Sequence, residues 1–181
     1  MSQVKKEEWP EIGEQVVASV SRITPHGVYL MLDEYEREGF LHISEISSGW
    51  VRNIHDFLHE GEKTVLKVLR VDPEKNHIDL SLRRVSRGER RERMLLWKRG
   101  KKAESLIRST SQKLGTPVNE IMAKAWVPLE QAFEEVYGGL EVAAREGAEP
   151  LLKLGIPKEI AEVLAEISKE KIKIPRVKVK S

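Results

Sequence analysis

Three side chains able to stack on or hydrogen-bond a flat ligand, His26, Tyr29 and His42, fall at strand spacing in the first half of the chain. In "GVYLML" Val28, Leu30 and Leu32 alternate with Tyr29 and Met31, and in "GFLHISE", residues 39–45, Leu41 and Ile43 alternate with Phe40, His42 and Ser44. A period of two gives a strand one buried and one open face. Tyr29 and His42 therefore belong to the open face, with His26 in the turn before it. Rings on such a face let unpaired bases stack at about 1–3 kcal/mol per base. Lys75 and His77, near a later turn, and Arg83 beyond it are placed to meet phosphate.

Other chemistries are poorly represented. The metal-like spacing is "HDFLHE", with His55 and His59 at i and i+4 around Asp56. It lies in a short segment between strands, has Asp where the HExxH site has Glu, and comes with no third ligand. A catalytic zinc needs three protein ligands and an open position, so two surface histidines on a connecting turn are the better expectation and no metal is assigned. The chain has no GxxxxGK[ST] loop, no GxGxxG after a strand and no GxSxG elbow. No catalytic residue and no cofactor are expected.

These residues sit in a chain of two characters. Residues 1–85 hold 11 Lys+Arg against 15 Asp+Glu, a balance of −4, whereas residues 86–181 hold 20 against 14, a balance of +6. Most of the excess lies in "RRVSRGERRERMLLWKRGKK", residues 83–102, with ten basic and two acidic side chains. Internal i,i+4 pairs cannot balance that run. Some of Arg83, Arg84, Arg87, Arg90, Arg91, Arg93, Lys98, Arg99, Lys101 and Lys102 are therefore expected to be available to phosphate, the alternative being a solvated helix face. The acidic balance of the first half works against a polyanion there. There are no cysteines, which excludes disulfides and thiolate metal sites. Apolar runs are far short of the ~20 residues a membrane span needs, and with 33% charged residues a cytoplasmic setting is expected.

The elements follow from the periodicities. "QVVASVSRI", "VYLMLD", "GFLHISE", "TVLKVLRV" and "HIDLSLRRV" read as five short strands, with Pro25 and Gly27 making the first turn. Five strands of this kind suggest a small Greek-key barrel. From Ser86 the period becomes 3.6, opened by a capping box of Ser86 and Glu89. Later helices are predicted from Thr116 as N-cap with Pro117 at the first helical position, from Pro128 to a stop at Gly138 and Gly139, and from Pro157. The expected fold class is all-β plus all-α: a barrel over residues 1–85, a compact helical domain over 86–174, and the start of a linker or first strand over 175–181.

"PHGVYL", "GFLHISE", "VLKVLRVD" and "IDLSLR", in this order within residues 12–85, resemble the S1-type OB-fold of RNA-binding proteins. That resemblance implies an RNA-facing patch at His26, Tyr29, His42 and Asp72 with a basic residue near His77. His26 stands where the family usually has phenylalanine or tyrosine. A general single-stranded RNA-binding protein of RNA decay or ribosome assembly would also fit this half.

With the helical half included, nearly the whole chain resembles the alpha subunit of translation initiation factor 2, of archaeal type, through "LHISEISSGWVRNI" and "EIMAKAWVPLEQAFEEVYGGLEVA". The resemblance implies a non-catalytic subunit of a heterotrimer that carries initiator methionyl-tRNA to the small ribosomal subunit. GTP would be held by the gamma subunit, which would dock on a third domain beyond about residue 175. The partners implied are that gamma subunit, the small ribosomal subunit, and initiator tRNA, mRNA or ribosomal RNA. Ser47 matches the serine phosphorylated in eukaryotes, and Ser47 and Ser48 are the candidate modification sites. The three arginines that follow that serine are here Ser48, Gly49 and Trp50, with Arg52 nearby. An ordinary solvated turn is the default for both serines, with Trp50 expected to cover the loop's underside.

Overall fold

The computed structural model describes residues 9–173. Strands β1 (Gln15–Thr24), β2 (Gly27–Leu32), β3 (Arg37–His42), β4 (Lys63–Asp72) and β5 (His77–Ser81) close into a barrel in the order β1-β2-β3-β5-β4. Neighbours are antiparallel except β3 and β5, which are parallel. The predicted alternation fills the interior: Val28, Leu30, Leu32, Leu41, Ile78 and Leu80 are buried in one cluster.

The third strand is shorter than expected. It stops at His42, and Ile43–Glu45 forms a 3-10 turn. The His42 side chain causes the stop, because its Nδ1 accepts the Ser44 N–H at 3.1 Å and so satisfies a donor that the strand ladder would otherwise take. A second 3-10 turn, Ile54–Asp56, precedes β4. It ends before His59, so His55 and His59 do not share a helix face, and no group of three potential metal ligands occurs among the described residues.

Helix α1 (Arg87–Leu114) opens on the capping box: Glu89 N–H donates to Ser86 Oγ at 3.1 Å and Ser86 N–H to Glu89 Oε1 at 2.9 Å. The chain divides into two compact units between Trp97 and Lys98, inside this helix and later than the expected 85/86 boundary. The shift has a packing cause. Val17 and Val65 face away from the barrel interior, yet they are buried with Val85 against Met94 and Trp97.

In the second unit α1 ends at Gly115, whose φ of 68° a side chain would strain. Helix α2 (Val118–Ile121) follows, then a π-helical stretch, Met122–Trp126, and α3 (Val127–Ala132). Pro117, not Thr116, occupies the cap position of α2, while the Thr116 carbonyl accepts from Ser111 Oγ. Helices α4 (Val136–Glu146), α5 (Glu149–Lys153) and α6 (Lys158–Lys171) complete the unit. Gly138 and Gly139 do not stop a helix; they lie in the first turn of α4. A Cβ on Gly139 would sit 2.5 Å from Leu129 Cδ2 and 2.8 Å from Phe133 Cδ2, so this glycine serves close helix approach. The segment expected at 175–181 lies outside the described residues. No helix among the described residues is long and apolar enough to cross a membrane.

Candidate nucleic-acid interface

The open face of the barrel carries one transverse row of side chains. Arg22 pairs with Tyr29, Tyr29 with Phe40, Phe40 with Asp79, and Asp79 with Arg70. Strict alternation would point Arg22 and Arg70 inward, in phase with buried Val20 and Val68. Register shifts between Val20 and Arg22 and between Val68 and Arg70 insert Ser21 and Leu69 as extra residues and turn both arginines outward.

The rings within the row are in contact. Tyr29 and Phe40 have centroids 5.0 Å apart at 52°, and Phe40 meets His42 edge-on at 6.3 Å. The Arg22 guanidinium lies 4.3 Å from the Tyr29 centroid. Phe40 also lies on Gly27, where a Cβ would come within 2.6 Å of Phe40 Cζ and 2.3 Å of the Leu41 carbonyl oxygen. Glycine is therefore needed for the ring to lie flat beside the β1–β2 turn. With Nδ1 occupied by the Ser44 amide, neutral His42 keeps its proton on Nε2 as a donor. His26 is exposed in that turn, held by Ile43 N–H donating to its carbonyl at 3.0 Å.

The far end of the row is polar. Asp79 Oδ2 accepts from Arg70 Nε at 2.9 Å, and Arg70 Nη2 lies 2.8 Å from the same oxygen. Asp79 Oδ1 pairs with His77 Nε2 at 2.9 Å. Phe40, His42, Ser44, Arg70, His77 and Asp79 line a groove of about 590 Å³ with Leu69 and Leu80 on its apolar side. Asp72 accepts from the Lys75 amide and so shapes the β4–β5 turn, on which Lys75 is exposed. Alternation in the sequence places Phe40 on the open face, whereas Asp79, Arg22 and Arg70 are not among the sequence candidates. The alternation of "HIDLS" could have revealed Asp79, but nothing local signals the two bulges.

The basic run divides by partner. Glu45, with its side chain 15% exposed, gathers Ser81 Oγ at 2.7 Å and the Nε atoms of Arg83 and Arg84 at 3.2 Å each. Its burial, the strongest single influence, would raise the carboxyl pKa, but these three donors together hold it below the ordinary range. Arg93 donates to the Gln15 carbonyl at 3.1 Å and pairs with Glu34. Arg90 Nη1 donates to the Val85 carbonyl at 3.3 Å. In the second unit Arg99 pairs with Glu135 at 2.6 Å and Glu141 at 2.9 Å, and Lys101 stands 3.6 Å from Glu104. Arg87 and Arg91 on the first unit, and Lys98 and Lys102 on the second, are exposed with no acid partner among the described residues. The run thus offers far fewer open cations than its composition implies.

The serine loop differs from expectation at Trp50. Ile46 and Val51 take the buried positions, and Trp50 between them is 82% exposed, with the Arg52 guanidinium 5.5 Å from its ring. It covers nothing. Ser47 Oγ accepts from the Gly49 amide at 3.2 Å, a local turn, and Ser48 is exposed.

A closed five-stranded barrel with an outward ring row, followed by helices, defines an S1-type RNA-binding module joined to a helical unit. In keeping with this, residues 10–83 match the S1 RNA binding domain family and residues 121–181 match the family of the eukaryotic translation initiation factor 2 alpha subunit. The translation initiation factor 2 subunit alpha of Pyrococcus horikoshii is 49% identical over 176 residues, covering 97% of this chain and 64% of that protein. The Methanopyrus kandleri protein is 44% identical over 179 residues, covering 98% and 67%. The intact alpha subunit of aIF2 from Pyrococcus abyssi superposes with a TM-score of 0.80 at 48% identity, over 93% of this chain and 65% of that one. The a/eIF2alpha chain of an a/eIF2alpha–aDim2p–rRNA complex from Pyrococcus horikoshii gives 0.72 at 50% identity, over 93% and 100%. This chain belongs to the alpha-subunit family of translation initiation factor 2. It spans 64% of the Pyrococcus horikoshii relative and 62% of the Pyrococcus furiosus one.

Proposed function

We propose that the chain is a non-catalytic, RNA-contacting part of the heterotrimeric factor that delivers initiator methionyl-tRNA to the small ribosomal subunit, acting in the cytoplasm. The observation that carries the reading is the outward row of Tyr29 and Phe40 flanked by Arg22 and Arg70, with His42 beside it. Aromatic faces of this kind bind unpaired bases without regard to sequence. His26, Lys75 and His77 border the same face, and Arg87, Arg91, Lys98 and Lys102 add phosphate contacts from their own units. The rRNA-containing complex of the Pyrococcus horikoshii relative supports contact with RNA. The gamma subunit, which would hold GTP, is engaged through the length of the relatives that this chain does not span. No cofactor is needed for such a role, and Ser47 and Ser48 act as a solvated turn.

The test is the affinity of the gamma subunit for initiator tRNA at fixed salt, with full-length alpha and with alpha lacking the part that corresponds to this chain. Removal should weaken binding and flatten its salt dependence. Equal affinity and equal salt slope would overturn a tRNA contact and leave mRNA or ribosomal RNA as the ligand of the ring row.

A further inference from the structure

The polar end of the row has a form that general stacking does not require. Two charged residues, Asp79 and Arg70, stand beside Phe40 across neighbouring strands, and a bulge at Leu69 is needed to bring Arg70 there. A carboxylate has about four lone-pair sites. Arg70 occupies Oδ2 through Nε and Nη2, and His77 occupies one site on Oδ1, so one acceptor site on Oδ1 is left. The Arg70 guanidinium also offsets the acid's charge, so that it does not repel a phosphate strand. The Asp79 side chain is 23% exposed and lines the groove, as do Phe40 and His42.

His42 lies two residues beyond Phe40 on β3, which makes it a diagonal neighbour of Asp79 in the parallel β3–β5 pair. Both side chains line the groove beside Phe40. The His42 Nδ1 is taken by the Ser44 amide, so Nε2–H is the donor. The groove thus sets a donor and a free acceptor on either side of a stacking ring.

We propose that the groove between Phe40, His42 and Asp79 reads one unstacked RNA base by its exocyclic amine. The base lies against Phe40. Its amine donates to Asp79 Oδ1, and the adjoining acceptor atom of the base takes the His42 Nε2–H. Adenine and cytosine offer that amine beside a ring nitrogen. Uracil offers a carbonyl oxygen in place of the amine; its one edge donor, the ring N3–H, lies between two carbonyl oxygens, so that presenting it to Asp79 brings a second carbonyl oxygen against the carboxylate. The inference rests on the barrel face being an RNA surface, and it adds a preference for amino bases that stacking alone does not give.

The experiment measures affinity of the 181-residue chain for short oligoadenylate, oligocytidylate and oligouridylate at one salt concentration. Both amino-base strands should bind about fivefold or more tightly than the uridine strand. Asp79→Asn, whose amide can donate to a carbonyl, should erase or invert the ratio. Arg70→Gln should weaken all three strands and lower the salt slope by about 0.7 while keeping the ratio. Equal binding of the three strands, or an unchanged ratio in Asp79→Asn with native thermal unfolding, overturns the inference. Loss of the ratio in Arg70→Gln overturns it as well, because the arginine would then be the reader. If Phe40→Ala weakens every strand while the wild type shows no ratio, the RNA surface stands and the base reading falls. If the wild type binds no strand, both fall.

Discussion

Replacing Glu45 by glutamine isolates the contact that ties the turn after β3 to the chain leaving β5. The Glu45 carboxylate accepts from Ser81, Arg83 and Arg84, and its backbone carbonyl accepts the Leu82 and Arg83 amides at 3.0 Å each. The backbone bonds survive the substitution. An amide keeps one neutral oxygen for one donor and turns N–H groups toward the others. The Ser81 bond is partly buried and, as a bond to a charged group, is worth about 1.5 kcal/mol. The two arginine side chains are 36% and 50% exposed, so solvent screens them to about 0.2–1 kcal/mol each. Allowing for the donor the amide still serves, the loss is about 2 kcal/mol. With a urea slope of about 2 kcal/mol/M for a small domain, the unfolding midpoint of the barrel falls by about 1 M. The assay is amide hydrogen exchange across β3 and β5 in increasing urea. Because the folded-state pKa of Glu45 is lowered, its contribution is complete above the unfolded value of about 4.3 and is lost as pH falls through the folded value. The gap between wild type and variant should therefore close on acidification. An unchanged midpoint at neutral pH, or a gap that widens in acid, would refute the reasoning.

Three further outcomes are expected. Glu104 in the helical unit is 5% exposed, and burial raises its pKa despite Lys101 and Arg108 nearby, so its effect runs the other way. The contribution of Glu104 is greatest below about pH 4.3 and falls as pH rises through the raised folded value; Glu104→Gln should flatten that part of the slope in urea midpoints of residues 103–168. Gly139→Ala should destabilise the same unit by about 1–3 kcal/mol through overpacking on Leu129 and Phe133, read as a lower thermal midpoint. Trp50→Ser should leave stability within about 0.5 kcal/mol, since the ring is 82% exposed; a larger loss in chemical denaturation would show that the ring does cover the barrel.

The sequence was most legible where periodicity and burial coincide. The alternation of Val28, Leu30 and Leu32 and the Ser86–Glu89 box could each be read from a few adjacent residues, and each is present. The misses depend on distant partners. His42 ends β3 through its own side chain, and the extra residues Ser21 and Leu69 invert the facing of Arg22 and Arg70. The glycine pair looked like a helix stop because glycine usually is one, but Gly139 answers to Leu129 and Phe133, packed against it from α3 and the residue that follows it. Which cations of the basic run stay open depends on the same kind of distant partner. Glu45 and Glu34 lie about forty to sixty residues from the arginines they hold, beyond any local pattern. Stacking rings and Asp79 follow from strand alternation; the two arginines that complete the row, turned outward by bulges, do not.

Whether the ring row of the barrel is an RNA surface is decided by backbone NMR of the isotopically labelled chain titrated with a short single-stranded RNA. Progressive shifts are expected at Arg22, Tyr29, Phe40, His42, His77 and Asp79, attenuated when salt is raised and absent from the interior strand positions. Shifts confined to residues outside this face, or no shifts at RNA concentrations that saturate a known S1-type barrel, would contradict an RNA surface there.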